Sequence, residues 1–391
     1  MGDGVAVNIK FLFALSALIY FTQGIGSLAS QALYYYLRET LGLSVALIMS
    51  IGSISSIPWM IKPLYGYLSD HYKLFGTHRK HYIILSSIVS VVACLALGLT
   101  PFVSVALLIA LLTVDAFGGA MKDVAVDGMM VEEGQKKKIT GKIQSIQWTA
   151  LGVAQVLTGV VGGYIAENAS YRLAFLIIAL FPLAIAIAAS YYKEPKKFIK
   201  HRPIMSEIRI LLSDKQFLLS AAFLFCLWFS PAVGTPIFNK MREELHLSKI
   251  WIGWLSTIGA VAGVIGSLLY FKLSTKIDLR KWLVYGTLLS AVSTFAYLYL
   301  TPASILCYNI VFGLSSAFVH LIMLDFMAKS CPKGQEATVF ALLCSLVNFG
   351  TFCSNQAGAL LFNFVGYNGL IIISGVFTLF CLGFIPKLRI R

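Results

Sequence analysis

At 391 residues, 58% hydrophobic and only 12% charged, the chain lies far from soluble domains, in which about a quarter of residues are charged. It reads as an all-α membrane protein, since its apolar runs are continuous rather than alternating, which excludes a β-barrel. The net charge of +14 sits mostly in alternate short connections, a distribution that points to the lipid bilayer and away from nucleic acid.

Taking about 20 residues per span as the gauge, the sequence predicts twelve transmembrane helices. The first, 9–37, carries Gln23 and Gln31 and ends at Arg38; it is too long for a signal-peptide core and reads as a retained span. The second, 43–67, runs into Lys62-Pro63-Leu64-Tyr65-Gly66-Tyr67-Leu68-Ser69-Asp70, followed by Gly76-Thr77-His78-Arg79-Lys80-His81 before a third span at 82–99. Gly66 permits close helix approach, and Asp70 can bond helix N-termini or arginines, so Lys62, Gly66, Asp70, Arg79 and Lys80 form a candidate conformational motif.

The fourth span, 102–131, places Asp115, Lys122, Asp123 and Asp127 before the apolar pattern has ended. At about 100° per residue these four share less than half of the helix circumference. Each would cost at least about 2.5–3.5 kcal/mol at the bilayer centre, so the stripe is expected to face protein or a water-filled cavity. Asp115 lies roughly 20 Å in from Pro101 at 1.5 Å per residue and is the candidate for a coupling proton, with Asp123 the candidate for substrate contact.

Span five, 139–166, offers Gln144 and Gln147 three residues apart as cavity residues, and span six covers 171–192. The connection 193–215 is basic and partly amphipathic, with Ile204, Ile208, Leu211 and Leu212 at helical spacing, as in a helix lying on the membrane surface. It separates an N-terminal six-helix bundle, 1–192, from a C-terminal one, 216–391. The remaining spans are 216–240, 249–273, 281–300, 303–329, 335–364 and 368–386. On the tenth, His320 and Asp325 could form a proton relay, or the histidine could be structural; on the eleventh, Asn355 and Gln356 are further cavity candidates.

Lysines and arginines divide 24 to five between the two sides, which puts both termini in the cytoplasm. The halves echo each other: Thr100-Pro101 opens span four and Thr301-Pro302 opens span ten, with Gly134 and Gly334 opening the spans that follow. Two parallel six-helix repeats around a mid-membrane site are a transporter plan. The seven cysteines form no CxxC pair, and no HExxH, GxSxG or Walker motif is present, so the sequence suggests no enzyme, no ATP-driven pump, no metal site and no cofactor.

Six plus six spans about a long central loop resemble the major facilitator superfamily, whose cytoplasmic motif is similar to the Gly66–Asp70–Arg79–Lys80 order. Three blocks sharpen the resemblance to the folate–biopterin transporter family: KPLYGYLSD with its spaced basic pair, DVAVDGMMVEE in span four, and CPKGQEATVFALLCSLVNFG, which contains Pro332, Gly334, Glu336, Thr338 and Asn348. The resemblance implies a carrier taking up folates or pterins together with protons, and the chain is expected to act as a monomer. A pterin's ring N–H and exocyclic amine form a donor pair that one carboxylate, Asp123 or Asp127, can accept, with Trp148 available for stacking. A folate's glutamate tail would need a cation, for which Arg38, Lys122, Lys240 and Arg242 are the choices. The alternative is a related permease for muropeptides or adenosyl compounds.

Overall fold

The computed structural model describes residues 8–43, 51–52, 54–100, 104–194, 211–247, 249–333 and 335–388, and among these every regular element is helical. The chain forms two compact units. Unit 1 comprises 1–137, 146–201 and 332–342; unit 2 comprises 138–145, 202–331 and 343–391.

In unit 1 the first helix is built in pieces. Helix α1 (Ile9–Ile25) starts where the Asn8 side chain accepts the Lys10 and Phe11 amides, passes through a 3₁₀ turn (Gly26–Ala29) into α2 (Ser30–Tyr35), and ends in a π turn at Tyr36–Thr40. It is followed by α3 (Ile57–Met60), α4 (Lys62–His71), α5 (Lys80–Leu99), the 33-residue α6 (Val105–Lys137), α7 (Thr140–Asn168) and α8 (Tyr171–Ser190). The first turns of α7 belong to unit 2, and the rest of it to unit 1. Leu28, Cys94, Leu97, Ala154, Phe175 and Ile178 share one buried cluster of this unit. Helices α5 and α6 touch through Gly118: a Cβ there would stand 2.6 Å from the Ser86 carbonyl, so only glycine allows the approach.

Unit 2 repeats the broken first helix. Helix α9 (Lys215–Phe229), capped by Asp214, stops at Ser230, and α10 (Gly234–Asn239) resumes before a second π turn at Lys240–Glu244. Helices α11 (Lys249–Leu273), α12 (Leu279–Ala296), α13 (Ile305–Ser330) and α14 (Glu336–Phe380) complete it, except that the first turns of α14, up to Leu342, belong to unit 1. A Cβ on Gly313 of α13 would meet the Gly259 carbonyl of α11 at 2.3 Å, so these two backbones are in direct contact. The 45 residues of α14 are too many for one crossing; the chain turns at Gly366, whose φ of 65° suits glycine.

Nine helices among the described residues are long and apolar enough to cross a membrane, and two shorter apolar helices, Lys215–Phe229 and Thr257–Leu273, stand beside them. The sequence count of twelve is higher than the count among the described residues. The helix expected over 216–240 is interrupted at Ser230, and part of the expected second span, including 44–50, lies outside the described residues. The expected surface helix in the central connection, with Ile204 and Ile208, also lies outside them.

Candidate functional site

The charges of α6 separate onto two neighbouring surfaces within unit 1. Asp123 and Asp127, one turn apart, are 2% and 4% exposed. The Lys62 ammonium reaches Asp123 Oδ2 at 2.6 Å and lies 4.7 Å from the centre of the Trp59 ring, while Gln23 Nε2 donates to Asp123 Oδ1 at 2.6 Å. Asp127 has neutral partners: Tyr20 donates its hydroxyl at 2.9 Å and Gln147 its amide at 3.2 Å. Trp148 stands beside this pair, its ring 6.4 Å from that of Tyr20. Two buried carboxylates therefore share one lysine here.

Asp115 and Lys122 belong to the other surface, toward α5. Lys122 Nζ donates to Ser90 Oγ at 2.8 Å, and the Asp115 side chain lies against Ser90, Cys94 and Lys122. The predicted four-charge stripe is thus two pairs, because a band approaching half of a helix circumference meets two neighbours.

At the other end of α6, Asp70 Oδ2 accepts both the backbone N–H of Thr338 at 2.8 Å and its hydroxyl at 2.6 Å, at the start of α14. Arg79, 1% exposed, bridges Asp70 and Glu132 and donates to Ser69 Oγ at 2.6 Å. Gly66 allows the contact, since a Cβ there would come within 2.7 Å of the Ala337 carbonyl. Glu336 is buried at this cluster, with carboxylate oxygens of Asp70, Glu132 and Glu336 mutually within 4.8 Å; the Arg79 guanidinium between two of them supplies a positive charge of its own. Lys80 Nζ donates to the Ser190 carbonyl at 2.6 Å, and Glu194 accepts the backbone N–H groups of His78, Arg79 and Lys80, capping α5. The buried His78 ring is held below the usual histidine range, first by burial and then by the Arg79 charge.

In unit 2, Asp325 is fully buried, accepting from Thr140 Oγ1, from Tyr270 at 3.1 Å and from Lys329 at 2.8 Å. His320 instead meets Trp228, ring centres 5.9 Å apart, on the wall of a cavity that Asn355 also lines. The structure does not bring His320 and Asp325 together as a relay. Gln144 is buried in unit 2, and Gln356 is exposed. The Arg38 side chain lies outside the described residues.

The profile of the BT1 family matches residues 23–384, nearly the whole chain. The chain belongs to the BT1 family, the folate–biopterin transporters. It is 30% identical over 414 aligned positions to a Synechocystis protein named folate-biopterin transporter, covering 98% of this chain and 83% of that one. It is 27% identical to probable folate-biopterin transporter 4 of Arabidopsis thaliana, covering 92% and 90%. The fold resembles that of XylE, a proton:xylose symporter of the major facilitator superfamily, with a TM-score of 0.75 and 14% identity over 97% of this chain and 95% of that one. This BT1 protein is therefore a multi-pass membrane transporter of major facilitator fold. Sequence reading of the BT1 chain missed Tyr20, Trp59 and Glu194, and it grouped Lys62 with the cytoplasmic motif although its ammonium sits on Asp123.

Proposed function

We propose that the chain is a twelve-span secondary carrier that takes up folates or pterin-like solutes with protons by alternating access, both termini lying in the cytoplasm. BT1 membership, the names of its relatives and the major facilitator fold support the carrier and its solute class. The observation that carries the coupling is the charge balance around Asp123, Asp127 and Lys62, which among the described residues leaves one carboxylate in excess. Lys62 pairs with Asp123 while Asp127 is held by the neutral Tyr20 and Gln147, so Asp127 is the carboxylate assigned the coupling proton. The donor pair of a pterin ring then competes with Lys62 for Asp123, and a displaced Lys62 keeps the face of Trp59 as a partner.

Two substitutions separate the roles. Asp127→Asn should retain exchange of labelled solute across proteoliposomes and lose accumulation driven by a pH gradient. Asp123→Asn should weaken binding about 10- to 150-fold, the equivalent of about 1.5–3 kcal/mol for a charged hydrogen bond. Unimpaired gradient-driven accumulation in Asp127→Asn would remove the coupling role from this site.

A further inference from the structure

The connection between α4 and α5 carries no aspartate or glutamate; it runs Tyr72-Lys73-Leu74-Phe75-Gly76-Thr77-His78-Arg79. Leu74 to Thr77 close a tight turn, with Leu74 N donating to the Thr77 carbonyl at 2.8 Å and Thr77 N to that of Leu74 at 3.1 Å. Both central residues have positive φ, 48° at Phe75 and 85° at Gly76, as a type I′ turn requires. Glycine suits the second position. At the first, asparagine, aspartate or glycine is the ordinary choice, and an aromatic residue is disfavoured. Burial does not compensate, because Phe75 is 79% exposed. A strained residue that packs so little within the fold is held for a contact outside it.

The neighbours of the turn identify that contact. Thr77 Oγ1 accepts the His81 amide at 3.2 Å and lies 2.8 Å from His81 Nδ1, and the Phe75 ring meets the His81 ring edge-on, centres 5.4 Å apart. The turn is thereby fixed to the first turn of α5, a helix long and apolar enough to cross a membrane. The exposed residues Leu85, Ile88, Val92, Leu95 and Leu99 follow His81 at alternating steps of four and three. At about 100° per residue they form one stripe with it, the face that α5 turns to lipid. Phe75, resting on His81, extends this stripe at the level where the span ends. Tyr72 and Lys73 beside it are exposed as well. Arg79 is buried in ion pairs and Lys80 is directed to the Ser190 carbonyl, so Lys73 is the cation of this segment that faces outward. Aromatic rings with a basic side chain are the composition that suits the headgroup zone of a bilayer.

We propose that the Lys73–Phe75 turn is a membrane anchor, in which the Phe75 ring inserts at the boundary between headgroups and acyl chains and Lys73 pairs with the headgroup of an anionic phospholipid. The tip of a two-residue turn offers no groove to a folded partner, whereas a fluid lipid surface needs none. The left-handed backbone at Phe75 is then the cost of standing the ring outward, offset by removing its apolar surface from water.

The test uses the full chain in nanodiscs. Phe75→Trp adds one indole to the six native ones, and its emission is read as the difference from wild type. Lipids brominated near the top of the acyl chain should quench that added emission about twofold or more, while aqueous iodide leaves it nearly unchanged. Quenching by iodide alone would place the turn in water, and shielding from both quenchers would place it under protein; either result overturns the anchor. Phe75→Asn, which suits positive φ, is the second variant should tryptophan not be accommodated. It should melt in detergent at or above the wild-type temperature, yet gain less than wild type on transfer into a bilayer. A gain equal to that of wild type would contradict the proposal. Replacing phosphatidylcholine by phosphatidylglycerol should raise the melting temperature of wild type by several degrees and that of Lys73→Gln by clearly less, and an equal response of the two would overturn the pairing of Lys73 with an anionic lipid.

Discussion

Lys62 and Asp123 form a buried ion pair, 8% and 2% exposed, and such pairs are asymmetric in their energetics. Removing one partner strands the other charge, at about 3–5 kcal/mol, whereas removing both can be nearly neutral. Lys62→Met should therefore lower the melting temperature markedly, and Lys62→Met/Asp123→Leu should recover most of the loss. A double variant as unstable as the single one would mean that the pair is not coupled. The acid side of this pair was legible in the sequence, because an aspartate inside an apolar run is conspicuous. Its partner was not, since Lys62 lies 61 residues away and its ammonium is directed by the contact of α4 with α6 rather than by local periodicity. Tyr20 was hidden for the same reason: a tyrosine in an apolar span looks like packing until its hydroxyl is seen 2.9 Å from Asp127.

At the level of elements, the Asp70–Arg79 cluster joins α4 to the first turn of α14, within unit 1, through Asp70, Thr338 and Gly66. The atoms facing a Cβ on Gly66 belong to backbone, so Gly66→Val cannot be absorbed by a side-chain movement. Gly66→Val and Asp70→Ala should each slow turnover in proteoliposomes at least tenfold while leaving solute affinity within about threefold; unchanged turnover in both would reduce the cluster to packing. The glycine and the aspartate were readable in order, but the docking of Thr338 pairs residues 268 positions apart and depends on tertiary fold. Helix phase was readable only coarsely. Asp115 with Lys122 and Asp123 with Asp127 differ by roughly 100° between adjacent positions, enough to turn the first pair toward Ser90 and the second toward Tyr20, Gln23 and Lys62. The interruption at Ser230 has a sequence signal in Pro231, which removes an amide donor and restrains the preceding residue; the apolar run around it masked that signal.

For the whole molecule, composition and the spacing of apolar runs were enough to reach an all-helical membrane fold, and three motif blocks led to the BT1 family that the comparison establishes. What sequence patterning does not carry is the division of chemistry between the units: paired charges around Asp123 in one, and an uncharged, hydroxyl-lined cavity in the other. A carrier that couples a proton to its solute must follow the gradient rather than the solute concentration alone. The most direct test is uptake of labelled pterin and folate into proteoliposomes with an inward proton gradient, with and without a protonophore. The proposed mechanism predicts transient accumulation of one or both above the external concentration, abolished by the protonophore and absent in Asp127→Asn. Equilibration to the external level, unaltered by the gradient or the protonophore, would contradict it.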